Sequence, residues 1–222
     1  MTMKQEVTMC LKKATKSWLL GVAAGMCIGL GTITYLLISN KLLGAFIFAM
    51  GLFLVCTYRL KLCTGMAGYL PDKRKSKTEG FVVASIGNIN GITVMYLLAQ
   101  FWNPAVVESA RHVLEAKFML QPWQAFISAL FCGLLMFLAV DIYNEAKDTI
   151  SCILGIFLAV PCFIINGFDH CVVTMFYIHS SRTLPEVVHS LQLFSTVMVG
   201  NFIGALLAWV LFYKIRKWNT DK

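Results

Sequence analysis

Charge is what this sequence lacks. Only 14% of its 222 residues are Asp, Glu, Lys or Arg, against about a quarter in a soluble domain, while 58% are hydrophobic and the mean hydropathy is +0.72. That balance excludes a soluble globular domain and leaves an integral membrane protein. Metal-binding cysteine pairs are missing too. The eight cysteines, Cys10, Cys27, Cys56, Cys63, Cys132, Cys152, Cys162 and Cys171, fall mostly in apolar stretches and never in CxxC spacing. This excludes a zinc or disulfide framework and makes them small buried hydrophobes. A cleavable signal peptide is also absent from the pattern, because the first apolar stretch, 18–39, is long enough to span and has no clear cleavage site.

What is present is a series of apolar stretches, over 18–39, 42–63, 80–102, 125–140, 150–178 and 191–213. Most are near or above the ~20 residues that cross a bilayer as helix. Six spans use most of the chain and leave no room for a second domain. The expected organisation is an N-terminal segment over 1–17, a membrane domain over 18–213 and a tail over 214–222. Cations sort by face: Lys4, Lys12, Lys13 and Lys16, then Lys73, Arg74, Lys75 and Lys77, then Lys147, then Lys214, Arg216, Lys217 and Lys222 all fall on one side of six crossings. The other side holds only Lys41, Arg111, Lys117 and Arg182. Positive loops stay inside, so both termini are expected in the cytoplasm of a cell-membrane protein. The net charge of +8 is then a topology signal and calls for no nucleic-acid partner.

Two stretches are too long for plain helices. Residues 41–71 and 149–179 stay mostly apolar for about 31 residues each, or ~46 Å as continuous helix against a ~30 Å core. Each carries a glycine-containing polar interruption, LKLCTGMAG around Thr64 and INGFDHC around His170. Irregular backbone at membrane depth is tolerated where it is buried in protein or lines a watery cavity, so both stretches read as broken helices. The pattern recurs: Thr64 is followed by Gly87-Asn88-Ile89-Asn90-Gly91, and His170 by Gly200-Asn201-Phe202-Ile203-Gly204. Three spans per half forces the halves, about 18–102 and 123–213, into opposite orientations. Inverted repeats with a discontinuous helix in each half are an architecture of channels and secondary transporters. His170, the imidazole inside an apolar stretch, is a costly side chain there and the first candidate for function.

These motifs resemble those of the formate/nitrite transporter family, pentameric aquaporin-like channels for small monovalent anions. LCTGM is similar to the family's LFTGN or LFTST element, NGFDHCVVTMFYI to SGFEHSIANMFLIP, GNINGI and GNFIGALL to its two GN-x-x-G helices, and LLMFLAV to LLVCLAV in span four. The resemblance covers all six spans in order. It implies an all-α fold of six transmembrane helices in two inverted three-helix repeats, with spans two and five broken. It also implies a homopentamer, no cofactor and no enzymatic activity. His170 would be the central pore histidine, Thr64 the loop threonine that hydrogen-bonds it, and Asn201 the nearby span-six asparagine. Lys117, with Arg111 as a lesser helper, would gather anions at the outer mouth. Phe48, Leu52, Leu62, Met136 and Phe163 would form the apolar constrictions. Asn88 reads as helix-packing glue and Asp169 as an anchor for the broken backbone. The chain departs from the family pattern at Cys63, in place of an aromatic residue, and at Gly133, where asparagine is common; each would widen the pathway. Arg59 and Lys61 are further departures, cations in a loop that is usually neutral or acidic.

The chemistry fits a proton relay. A bare anion at the bilayer midplane suffers a large desolvation cost, so it must be hydrated, paired or protonated. Histidine, with an ordinary pKa of about 6.5, can lend the proton. The expected substrate is formate, with nitrite or hydrosulfide as alternatives and lactate within reach of wider pores. A haem protein would need a second histidine facing His170, yet His112, His179 and His189 lie in or near outer loops. An intramembrane hydrolase would need a nucleophile motif, which Ser85 and Ser151 do not form. A water or glycerol channel would carry paired NPA motifs.

Overall fold

The computed structural model describes residues 2–71, 78–215 and 218. Lys73, Arg74, Lys75, Lys77, Arg216, Lys217 and Lys222, which carry part of the topology signal, lie outside the described residues. Among the described residues every regular element is helical: α1 (Met3–Leu37), α2 (Lys41–Thr57), α3 (Cys63–Ala67), α4 (Phe81–Trp102), α5 (Pro104–Phe118), α6 (Pro122–Glu145), α7 (Thr149–Ile165), α8 (Cys171–Ile178) and α9 (Leu184–Ala208), the last extended by a wider π-type turn over Trp209–Lys214. Helices α1, α4, α6 and α9 are long and apolar enough to cross a membrane. Helices α2 and α7 have 17 residues each, ~25 Å. Each falls short of a crossing and is continued after a break by α3 or α8.

The two halves match position by position. Asn40 and Asp148 cap α2 and α7 through side chains that accept from Leu43 and Ser151 backbone N–H groups, and the Ser151 bond holds the Asp148 carboxyl below its usual range. Both helices end in the same turn. Leu60 N–H returns to Val55 C=O and Arg59 N–H to Cys56 C=O, while Phe168 N–H returns to Phe163 C=O and Gly167 N–H to Ile164 C=O. This turn requires a left-handed residue, which is Arg59 (φ 52°) in one half and Gly167 (φ 68°) in the other. Beyond it Leu62 (φ −102°, ψ 124°) and His170 (φ −102°, ψ 121°) are equivalent extended residues that open α3 and α8.

Glycines let the spans approach to backbone contact. A Cβ on Gly25 would lie 2.2 Å from Asn88 O, and one on Gly133 only 2.0 Å from Asn201 O. The expectation that Gly133 widens the pathway therefore fails: it seats α6 against the backbone of α9.

Three stretches differ from the sequence reading. The N-terminal segment is continuous helix with the first span, as α1 begins at Met3. The sixth span begins at Leu184, earlier than residue 191. Residues 104–118, which fall between the third and fourth apolar stretches, form α5, started by the Asn103 cap and Pro104, with Val106, Ala110 and Leu114 buried on one face.

Candidate functional site

The two breaks meet at the middle of the fold. Thr64 Oγ1 lies 2.9 Å from His170 Nε2, and the two residues are 2% and 3% exposed. Two asparagines hold this meeting point in mirrored ways. Asn88 Oδ1 accepts the Cys63 N–H at 2.8 Å, and its Nδ2 donates to Gly21 O and Lys61 O, both at 2.8 Å. Asn201 Oδ1 accepts the Cys171 N–H at 2.8 Å, and its Nδ2 donates to Ala129 O at 2.8 Å and Asp169 O at 2.7 Å. A broken helix exposes backbone groups that no water reaches at membrane depth; each asparagine satisfies two of them, an N–H and a carbonyl, and its third bond goes to a carbonyl of a neighbouring span, Gly21 in α1 or Ala129 in α6. Asn201 thus makes its three hydrogen bonds to backbone and, among the described residues, none to His170. Asn88, read as packing glue, does the same work as its counterpart.

One cavity of about 90 Å³ reaches His170 from the α5 side; it is lined by Phe48, Lys117, Phe163, Gly167 and Asp169 among others. A water needs ~10–15 Å³ of such space, so several waters or one small anion fit. Phe48 and Phe163 meet edge to face with centroids 6.1 Å apart, and Phe163 lies 6.1 Å from the His170 ring at 23°. The histidine's second nitrogen, Nδ1, is buried with no protein partner among the described residues. Leu62 lines the vestibule on the opposite side of the break, and Leu52 and Met136 are buried at 0% and 2% without lining either cavity.

Lys117, expected at the outer mouth, is mostly buried against the second break. It sits in the last turn of α5 with its side chain 18% exposed, donating to Gly167 O at 2.7 Å and pairing with Asp169 Oδ1 at 2.9 Å. Asp169 also accepts from Ser128 Oγ at 2.6 Å. Arg111, expected beside Lys117 at the mouth, is engaged by Glu115 at 3.0 Å and Glu186 at 3.2 Å. Lys61 bonds Ser17 Oγ at 2.9 Å and the Glu79 carbonyl, which ties the first break to α1.

A family model described as formate/nitrite transporter matches residues 2–215. The chain belongs to the formate/nitrite transporter family. Relatives include YrhG, an uncharacterized transporter of Bacillus subtilis, 28% identical over 200 residues that cover 82% of this chain and 74% of the relative. A probable formate transporter of Methanothermobacter thermautotrophicus is 29% identical over 206 residues, 81% and 75% of the two chains. The formate channel FocA of Haemophilus influenzae is 23% identical over 193 residues, 75% and 66% of the two. Among solved structures, a pentameric formate channel with formate bound superposes with TM-score 0.72 at 22% identity, covering 94% of this chain and 98% of that one. An FNT family ion channel gives TM-score 0.70 at 19% identity, with 97% and 92% covered. The transporter is thus a multi-pass membrane protein whose fold is that of these channels.

Sequence reasoning missed one pairing at the centre of the transporter. Cys63 and Cys171, dismissed as scattered hydrophobes, are equivalent residues 108 apart in sequence with Sγ atoms 4.0 Å apart. Their equal placement one residue beyond Leu62 and His170 was the signal that could have found them.

Proposed function

We propose that the protein is a homopentameric channel in the cell membrane, with both termini cytoplasmic, that passes small monovalent weak-acid anions, formate foremost, and protonates them at His170. The observation that carries this reading is the buried imidazole at the floor of the cavity, held by Thr64 through Nε2 while Nδ1 has no protein partner among the described residues. A proton delivered there turns the anion into a neutral acid, which crosses the apolar constrictions of Phe48, Leu52, Leu62, Met136 and Phe163 without the desolvation cost of a charge. On the far side the acid ionises, and the histidine is recharged from water on the entry side, so one proton crosses with each anion. The ammonium of Lys117 has three donors, two of them engaged by Gly167 and Asp169, so one is left to meet an anion in the cavity. Helix α8 begins beside His170, and its dipole favours negative charge at that end. Asn201 serves as a positioning residue. The relatives named for formate favour that anion over nitrite and hydrosulfide.

Purified protein in liposomes, offered formate, nitrite and hydrosulfide separately while internal pH is followed, tests the proposal. Formate uptake faster than in protein-free liposomes, with a matching fall in internal pH, is the expected result. Uptake without a pH change would remove the proton from the mechanism, and no uptake of any of the three would remove the function.

A further inference from the structure

Among the described residues, Arg59 is the one non-glycine residue with a left-handed backbone, φ 52°. It occupies the turn that ends α2, and the equivalent turn after α7 holds Gly167, φ 68°. Glycine fits such a turn with no Cβ penalty, so the turn itself gives no reason for an arginine. Backbone strain retained in this way is a reason to look for a task.

The side chain is available for one. Among the described residues the guanidinium makes no hydrogen bond or ion pair, whereas its neighbour Lys61 is tied to Ser17 and Glu79. Arg59 lines a vestibule of about 520 Å³, with Leu62, Tyr69, Asn144 and Glu145 also in the wall. Leu62 is the counterpart of His170, so this vestibule approaches the break from the side opposite the Lys117 cavity. The repeat therefore places a cation at the same turn in each mouth. Lys117 is held on the carbonyl of Gly167, and Arg59 stands at the matching position itself. The two differ in compensation, because Asp169 balances Lys117 and, among the described residues, no carboxylate is paired with Arg59.

We infer that Arg59 recruits anions into the vestibule on the face that carries the N-terminus, a role that rests on the anion-channel reading above. An unpaired guanidinium raises the local anion concentration at that mouth, and salt screens the effect. Entry from this face depends on Arg59 and on ionic strength; entry from the opposite face depends on neither to the same degree.

The test is initial formate flux through the full-length protein in vesicles of defined orientation, measured from each face at low and high salt. Arg59→Gly removes the charge and keeps the turn; Arg59→Asn is a second neutral residue that tolerates it; Arg59→Lys keeps the charge. Both neutral variants are expected to lose about three- to tenfold of the flux from the N-terminal face at low salt, to converge with the parent at high salt and to match it from the other face. Arg59→Lys should retain most of the flux. A conducting parent matched by Arg59→Gly from both faces at low salt overturns the role of Arg59 alone. So does an equal loss from both faces at both salts. A parent that carries no formate overturns the channel reading with it.

Discussion

Replacing Asn201 with alanine is expected to damage the fold more than it damages the histidine's chemistry. The substitution orphans the Cys171 N–H and the Asp169 carbonyl, at about 1–3 kcal/mol for each buried group left unmet, and removes the bond that the Ala129 carbonyl accepts in addition to its helical one. At membrane depth no bulk water replaces the lost partners. Asn88→Ala orphans the Cys63 N–H and the Lys61 carbonyl and removes the additional bond of the Gly21 carbonyl, so its loss should be of the same size. Thermal midpoints in mild detergent check both. Each variant should melt far below the parent, or fail to accumulate, and Asn201→Asp should rescue only in part because it keeps an acceptor and loses both donors. An Asn201→Ala protein with the parent's midpoint would refute the role of the asparagines.

A second large effect is expected at Lys117. Lys117→Met leaves the Asp169 carboxylate, 4% exposed, with Ser128 as its remaining side-chain partner. Breaking a buried ion pair on one side costs about 3–5 kcal/mol. It also changes the cavity beside His170 from a balanced pair to a bare negative charge, which repels the permeating anion. Both the midpoint and the formate flux should fall. The double variant Lys117→Met/Asp169→Asn should regain much of the stability, since neither charge remains, and less of the flux, since the free ammonium donor is gone. Parental stability and flux in the single variant would show that the pair matters to neither.

The course of the chain was largely readable from its residues. Two stretches of apolar sequence too long for one crossing, each interrupted near a glycine, located both breaks, and the repeated Gly-Asn elements revealed the two halves. Other features were readable but overlooked. Asn103-Pro104 is a helix start, and Val106, Ala110 and Leu114 recur at helical spacing, so α5 was open to prediction. The equal placement of Asn88 and Asn201 in their repeats implied equal duties. What local sequence could not supply were partners far apart in the chain: Lys117 meets Asp169 across two helices, and Gly133 meets the Asn201 backbone. Arg59 was least predictable, because the usual sign of a left-handed turn is the glycine that its counterpart has and it lacks.

The central claim is that His170 supplies the proton that carries the anion through. Its most direct test is formate uptake by His170→Asn in liposomes, at matched amounts of folded protein, with internal pH recorded. Asparagine retains a hydrogen-bonding amide for Thr64 and cannot exchange a proton near neutral pH. The account predicts a loss of proton-coupled formate uptake by about 10²-fold or more, the usual scale for removing a general acid, with the thermal midpoint close to the parent's. Equal uptake and equal acidification in His170→Asn and the parent, for formate, nitrite and hydrosulfide alike, would contradict it.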